Sequence, residues 1–80
     1  MKEKIEMLIK ALDSQGINTR DYLIWAAEGI NSFQDYSEYS TEQLAKMNIE
    51  FFEDESGEEY TEEEMNDELE IHIPMYLEEV

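Results

Sequence analysis

The sequence predicts a small, mainly α domain of three to four short helices. Apolar residues recur with the 3.6-residue period of a helix through the first third of the chain. Residues that start or stop helices occupy the spaces between the apolar stretches. Hydrophobic residues make up 41% of the 80 residues, which is enough for one small core. We therefore expect a single domain over residues 1–80, with an α+β fold as the alternative if the C-terminal segment forms a short strand or hairpin.

The first helix is predicted over Lys2–Ser14. Its apolar residues follow the spacing i, i+3, i+4, i+7 and so share one face. They are Ile5, Leu8, Ile9 and Leu12. Gly16 follows at the position where a left-handed glycine ends a helix.

A second helix is predicted over about Thr19–Asn31, with Asn18 as its N-cap. Its apolar stripe repeats the spacing of the first helix. The residues of this stripe are Leu23, Ala26, Ala27 and Ile30. The two stripes are expected to pack as an αα-hairpin, a near-neutral unit at residues 1–31 that forms most of the core.

Trp25 points away from the stripe of the second helix, because successive residues are rotated by 100°. A helix that is apolar on most sides is buried on more than one side. Either the C-terminal half of the chain covers Trp25, or Trp25 anchors a homodimer or a partner interface, where tryptophan is enriched.

Ser40 and Gln43 have the spacing of a capping box and predict a third helix over about Thr41–Phe52. Thr61 and Glu64 form a second capping box farther along the chain. It predicts the start of an acidic helix.

The C-terminal segment allows two interpretations. The residues of Leu69–Ile73 alternate between apolar and polar, as in a strand, and Pro74 disfavours a continuous helix. We expect a short helix over Thr61 to about Glu68, then an extended segment, then a last turn opened by Pro74. A strand there would need a partner, which residues 48–54 could supply in place of the end of the third helix.

The charge is concentrated in one half of the chain. Residues 1–27 hold four basic and four acidic residues, whereas residues 28–80 hold one lysine and eighteen acidic residues and carry the whole net charge of −17. Twelve carboxylates lie between Glu50 and Glu70, with no Lys, Arg or His among them. Such crowding costs folding free energy through Coulomb repulsion. The strongly acidic half, residues 40–80, therefore indicates a basic partner.

Several classes of function are disfavoured. The chain has no cysteine, which fits a reducing compartment, and no apolar run of the ~18 residues that a membrane span needs. His72 has no serine or cysteine near it in sequence, and the acids around Gly57 do not fit a calcium loop. We expect a cytoplasmic protein that is not an enzyme, uses no cofactor or metal and contacts no membrane. Direct nucleic-acid binding is disfavoured because phosphates would repel the acidic half.

The acidic stretch approaches the charge density of nucleic acid. If residues 50–70 were one helix, its twelve carboxylates would span roughly 30 Å. Duplex DNA of that length carries roughly 18 charges. In size and charge the chain resembles the small nucleic-acid mimics of phages and mobile elements, which share no common motif. That resemblance implies an inhibitor of an anti-restriction, anti-CRISPR, transcription or nucleoid type, which occupies the basic groove of a nucleic-acid-binding protein.

The candidate partner-binding residues are ten carboxylates and three aromatic side chains. They are Glu50, Glu53, Asp54, Glu55, Glu58, Glu59, Glu62, Glu63, Asp67, Glu70, Phe51, Phe52 and Tyr60. Those expected to stand in for phosphates are Glu58, Glu59, Glu62, Glu63, Asp67 and Glu70. The alternative function is a protein–protein adaptor or regulator of a basic partner that binds no nucleic acid, since acidic and aromatic residues interleave over residues 33–60.

Overall fold

The first two helices begin and end close to where the local signals place them. In the computed structural model, which describes residues 1–79, α1 spans Lys2–Ser14 and α2 spans Thr19–Ile30. Asn18 caps α2, because its side chain accepts a hydrogen bond of 3.1 Å from the Asp21 amide. Gly16 has a φ of 74°, a left-handed conformation that favours glycine, and it turns the chain between the two helices.

The third helix, α3, spans Thr41–Ser56 and runs four residues beyond its predicted end. The predicted capping box is confirmed. The Gln43 amide donates to the Ser40 hydroxyl at 3.1 Å, and the Ser40 amide donates to the Gln43 side-chain oxygen at 2.8 Å. Gly57 ends the helix with a φ of 70°. Residues 48–54 are therefore helical, and their assignment as a strand partner is wrong.

The C-terminal segment forms one helix, α4, over Glu62–Glu79, with Pro74 inside it. The expected extended segment at residues 69–73 and the separate last turn are therefore wrong. Pro74 has no N–H and forfeits one helical hydrogen bond. The continuous helix nevertheless buries three large side chains on one face, and this gain in apolar burial outweighs that loss. These residues are Met65, Leu69 and Tyr76.

The residues described form four helices and no strand, which confirms the mainly α fold. All four helices enter one core. Its buried apolar residues are Leu8, Leu12, Tyr22, Leu23, Ala27, Tyr36, Leu44, Ala45, Ile49, Tyr60, Met65, Leu69 and Tyr76. Seven of these thirteen lie within residues 40–80. The acidic half thus supplies most of the core, contrary to the expectation for residues 1–31. Val80, the end of the predicted domain, lies outside the described residues.

The connector between α2 and α3, residues 31–40, is fastened by two side chains. The Arg20 guanidinium donates to the backbone carbonyls of Tyr39 and Ser37 at 2.6 and 2.8 Å. Tyr36 is buried, and its hydroxyl donates to the Asn31 carbonyl at 3.1 Å. Arg20 is one of only five Lys and Arg residues, and its charged group holds the connector in place.

Candidate partner-binding surface

Two short rows of exposed carboxylates follow α3 and α4. On α4, Glu63, Asp67 and Glu70 have the spacing i, i+4, i+7, which places them on one face of the helix. On α3, Glu50 and Asp54 are spaced i, i+4. All five side chains are exposed. Neighbours in such a row have Cβ atoms about 5–6 Å apart.

The turn between α3 and α4 joins the two rows. Exposed carboxylates continue through it, at Glu55, Glu58, Glu59 and Glu62. Because Gly57 turns the chain, the acidic stretch is a helix–turn–helix corner and not the single helix of roughly 30 Å considered from the sequence. We call this corner and its two rows, residues 50–70, the acidic corner.

Few carboxylates of the acidic corner meet a basic side chain. The Lys4 ammonium contacts Glu53 at 2.6 Å and Glu59 at 3.4 Å, and the His72 ring lies 3.7 Å from Glu68. Within residues 1–79 the other exposed carboxylates of the corner have no cationic side chain within 4 Å. They are Glu50, Asp54, Glu55, Glu58, Glu62, Glu63, Asp67 and Glu70.

Glu53 takes part in the fold itself. Besides its contact with Lys4, its carboxylate accepts a hydrogen bond of 2.9 Å from the Tyr60 amide. The bond from Lys4, followed by that from Tyr60, lowers the pKa of Glu53. This carboxylate therefore ties α1 and the turn before α4 to the end of α3, although the sequence placed it among the partner contacts.

The end of α3 breaks a rule of helix electrostatics. Its last turn carries Glu53, Asp54 and Glu55 and no basic residue. The C-terminus of a helix bears a partial negative charge, which makes acidic side chains there unfavourable. Local features that conflict with the stability of a fold are expected to coincide with functional sites.

The three candidate aromatic contacts lie in different environments. Phe51 is 42% exposed and lies on the surface. Tyr60 is 4% exposed, and Phe52 is half-buried against it with the ring centroids 5.2 Å apart. The structure thus places Tyr60 and most of Phe52 in the core, because the turn after Gly57 folds Tyr60 back onto α3.

Trp25 is half-buried against the C-terminal helix. Its ring centroid lies 5.6 Å from that of Tyr76 and 5.7 Å from that of Tyr22, and its Nε1 donates to the Glu79 carboxylate. The C-terminal half therefore covers part of the ring, as one of the two interpretations expected. The remaining surface of Trp25 faces an open groove.

This groove lies between α2, α3 and α4 and has a volume of about 560 Å³. We call it the α2–α4 groove. Its lining includes Trp25, Phe51, Ile30 and Met75. Sequence reasoning missed the last two as surface residues, because it assigned Ile30 to the core stripe and Met75 to a separate turn.

The α4 side of the groove could have been predicted if the C-terminal segment had been assigned as one continuous helix. The four residues that α4 contributes have the spacing i, i+4, i+7, i+11 and therefore share a face. They are Glu68, His72, Met75 and Glu79. The proline at position 74 masked this pattern.

Within residues 1–79, no helix has the length and apolarity that crossing a bilayer requires. No three His, Asp or Glu side chains of that range are grouped so as to hold a metal ion. Comparison of the chain with protein-family models, curated proteins and solved structures gives no match.

Proposed function

We propose that this protein is a small acidic inhibitor that occupies the basic groove of a nucleic-acid-binding protein by mimicking the phosphates of DNA or RNA. The observation that carries the proposal is the acidic corner, in which eight exposed carboxylates have no cationic partner within residues 1–79. Inhibitors of this kind serve phages and mobile elements against host restriction, CRISPR, transcription or nucleoid proteins.

The row on α4 approaches the linear charge density of one nucleic-acid strand. Glu63 and Glu70 are seven residues apart, a rise of about 10 Å along the helix. With Asp67 the row holds three carboxylates over this distance. One strand of DNA carries a phosphate every 3.4 Å, hence about four over the same length when both ends are counted.

The rows stand on helices whose opposite faces are packed. Ile49 on α3 is fully buried, and Leu69 on α4 is 6% exposed. A surface that is ordered before binding loses less conformational entropy when the partner docks. This preorganisation favours a mimic over an acidic segment that orders only on binding.

The alternative, an adaptor for a basic partner that binds no nucleic acid, is favoured by a different observation. The α2–α4 groove exposes apolar side chains beside the acidic corner, and the phosphate backbone of nucleic acid has no equivalent of them. Competition separates the two functions, because DNA or RNA displaces a mimic from its target and leaves an adaptor bound.

The first test is affinity capture from a bacterial lysate, with elution by duplex DNA and, in parallel, by heparin. We expect duplex DNA to release a nucleic-acid-binding protein at a lower charge concentration than heparin does. The purified target should then bind DNA and this protein in mutually exclusive fashion. A ternary complex with DNA would contradict the proposal.

Neutralising the α4 row should weaken the complex. The triple variant Glu63→Gln, Asp67→Asn, Glu70→Gln removes three contacts worth roughly 0.5–1 kcal/mol each, and we expect the affinity to fall about tenfold or more. The matched control is Glu6→Gln, Glu38→Gln, Glu78→Gln, which changes the net charge equally at exposed sites outside the acidic corner. Equal losses in the two variants, measured by calorimetry, would indicate attraction by net charge alone and not by the row.

A further inference from the structure

The α2–α4 groove has an apolar lining and an acidic edge. Ile30, Phe51 and Met75 line it with 40%, 42% and 50% of their surfaces exposed. Its carboxylates are Glu28, Glu68 and Glu79. Among the described residues that line it, none is Lys or Arg. The groove therefore suits a ligand that is apolar at its centre and positively charged at its flanks.

Gly29 lies in the lining of the groove, in the last turn of α2. Its φ is not positive, and a Cβ atom added to it would meet nothing within 4 Å. Neither the backbone conformation nor packing within the chain calls for glycine there, although glycine weakens a helix relative to alanine. Because glycine has no Cβ, it permits close approach of another backbone at an open helix surface.

The length of the groove suits a helix. On the α4 side it extends from Glu68 to Glu79, eleven residues that rise about 16 Å. Three turns of a docked helix cover the same length. Residues 1–79 contain no strand whose edge could pair with an extended peptide.

We infer that the α2–α4 groove docks an amphipathic, basic α-helix of a partner protein. Apolar side chains of that helix, at i, i+4 and i+7, contact Ile30, Phe51 and Met75. Its Lys or Arg side chains meet the carboxylates at the edge, and its backbone crosses Gly29. A second copy of this chain is the less favourable occupant, because each copy carries a net charge of −17 and the two repel. Docking at the groove requires no mimicry of nucleic acid.

The test uses a synthetic peptide of 18 residues that lacks Trp and Tyr. Leucines occupy i, i+4, i+7 and i+11, and lysines and alanines fill the other positions. Trp25 is the only tryptophan in the chain, so its fluorescence reports occupancy of the groove. One control peptide has the same composition with the leucines scattered around the helix, and another carries two central prolines. In 150 mM salt, we expect the amphipathic peptide to bind about tenfold or more tightly than either control.

Two substitutions on α4 form a matched pair. Met75→Gln removes a groove side chain, whereas Leu77→Gln removes one of similar exposure, 52%, that does not line the groove. We expect Met75→Gln to lower the affinity about tenfold and Leu77→Gln to leave it within about twofold, as contacts at the centre of an interface carry most of its energy.

A substitution at Gly29 separates binding from folding. Gln is a better helix former than Gly, so Gly29→Gln should raise the Tm by about 2–8 °C. The same side chain obstructs the groove and should lower the affinity for the peptide about tenfold. A loss of binding by a more stable protein cannot come from unfolding.

The inference is overturned if the control peptides bind as tightly as the amphipathic one. It is also overturned if Met75→Gln and Leu77→Gln act alike, or if Gly29→Gln leaves binding unchanged. Sedimentation of the protein alone supplies the remaining outcome: a dimer that Met75→Gln dissociates would assign the groove to a second copy.

Discussion

The Glu53 carboxylate accepts hydrogen bonds from the Lys4 ammonium at 2.6 Å and from the Tyr60 amide at 2.9 Å. The bond from Lys4 lowers the pKa of Glu53. The stability that this bond contributes is therefore present above the pKa of the unfolded state and is lost as the pH falls through the pKa of the folded state.

Glu68 behaves in the opposite way. Burial raises its pKa, with the charge of His72 partly offsetting this effect and that of Glu64 adding to it.

Glu68→Gln is expected to raise the Tm at pH 8. A raised carboxyl pKa means that the charged carboxylate destabilises the native state above that pKa, and this destabilisation disappears as the pH falls below it. Since Gln imitates the protonated form, its stabilising effect should shrink from pH 8 to pH 5. Thermal unfolding followed by circular dichroism over this range measures the change.

Glu70→Gln is the control for Glu68→Gln. It removes the same charge from the same helix, but Glu70 is exposed, so its effect should vary less with pH. A Glu68→Gln variant that is less stable than wild type at pH 8 would show that burial of the Glu68 carboxylate does not destabilise the native state.

At the scale of the helices, local signals predicted most of the structure. Caps act within one turn of a helix, so Asn18, Ser40 and Gln43 could be identified without knowledge of the fold. The course of α4 could not be predicted in this way. Pro74 disfavours a helix, and the helix forms because it buries Leu69 and Tyr76 against the other helices. Tertiary packing overrides local propensity in such segments.

The candidate site was predictable in the same uneven way. The carboxylates of the acidic corner are evident from composition, and most of them are exposed. The side on which an aromatic residue lies depends on tertiary packing, so Tyr60 was assigned to the surface although it is buried. The α2–α4 groove could not be predicted because three helices form it, one of which was divided at Pro74.

Charge substitutions at the two ends of α3 test how strongly the helix dipole affects stability. Glu55→Lys places a positive charge in the last turn, which holds no basic residue, and should stabilise the helix dipole by about 0.3–1 kcal/mol. For a domain of this size that corresponds to a rise in Tm of roughly 2–8 °C. Thermal unfolding at low ionic strength measures it.

Glu42→Lys is the matched control, because it makes the same change of charge in the first turn of α3. A positive charge is unfavourable at the N-terminus of a helix, so the gain should be smaller or reversed. Equal gains from the two variants would mean that relief of the overall negative charge, and not the helix dipole, limits stability.

In the whole molecule, the part of the chain that carries the net charge also forms most of the core. Residues 28–80 carry the net charge of −17 and also eight of the thirteen buried core residues. The chain therefore cannot relieve repulsion by releasing its acidic half without also losing most of its core. If the acidic corner binds a basic protein, the partner would neutralise this repulsion and stabilise the fold at the same time.

Salt should stabilise the isolated protein. The molecule measures 28 × 25 × 20 Å, so many of its carboxylates lie farther apart than the Debye length of about 10 Å in 0.1 M salt. Such pairs repel at low salt and are largely screened in 0.1 M salt. Repulsion is weaker in the expanded unfolded chain, and screening therefore favours the native state. We expect the Tm to rise between 10 and 300 mM NaCl, steeply at first and less at higher concentrations, because the Debye length falls from about 30 Å at 0.01 M to about 10 Å at 0.1 M. Tetramethylammonium chloride should act equally, because screening does not depend on which cation is present. A larger effect of Na⁺ would indicate ion binding at the acidic corner, and a flat or falling Tm would show that its exposed carboxylates do not destabilise the fold.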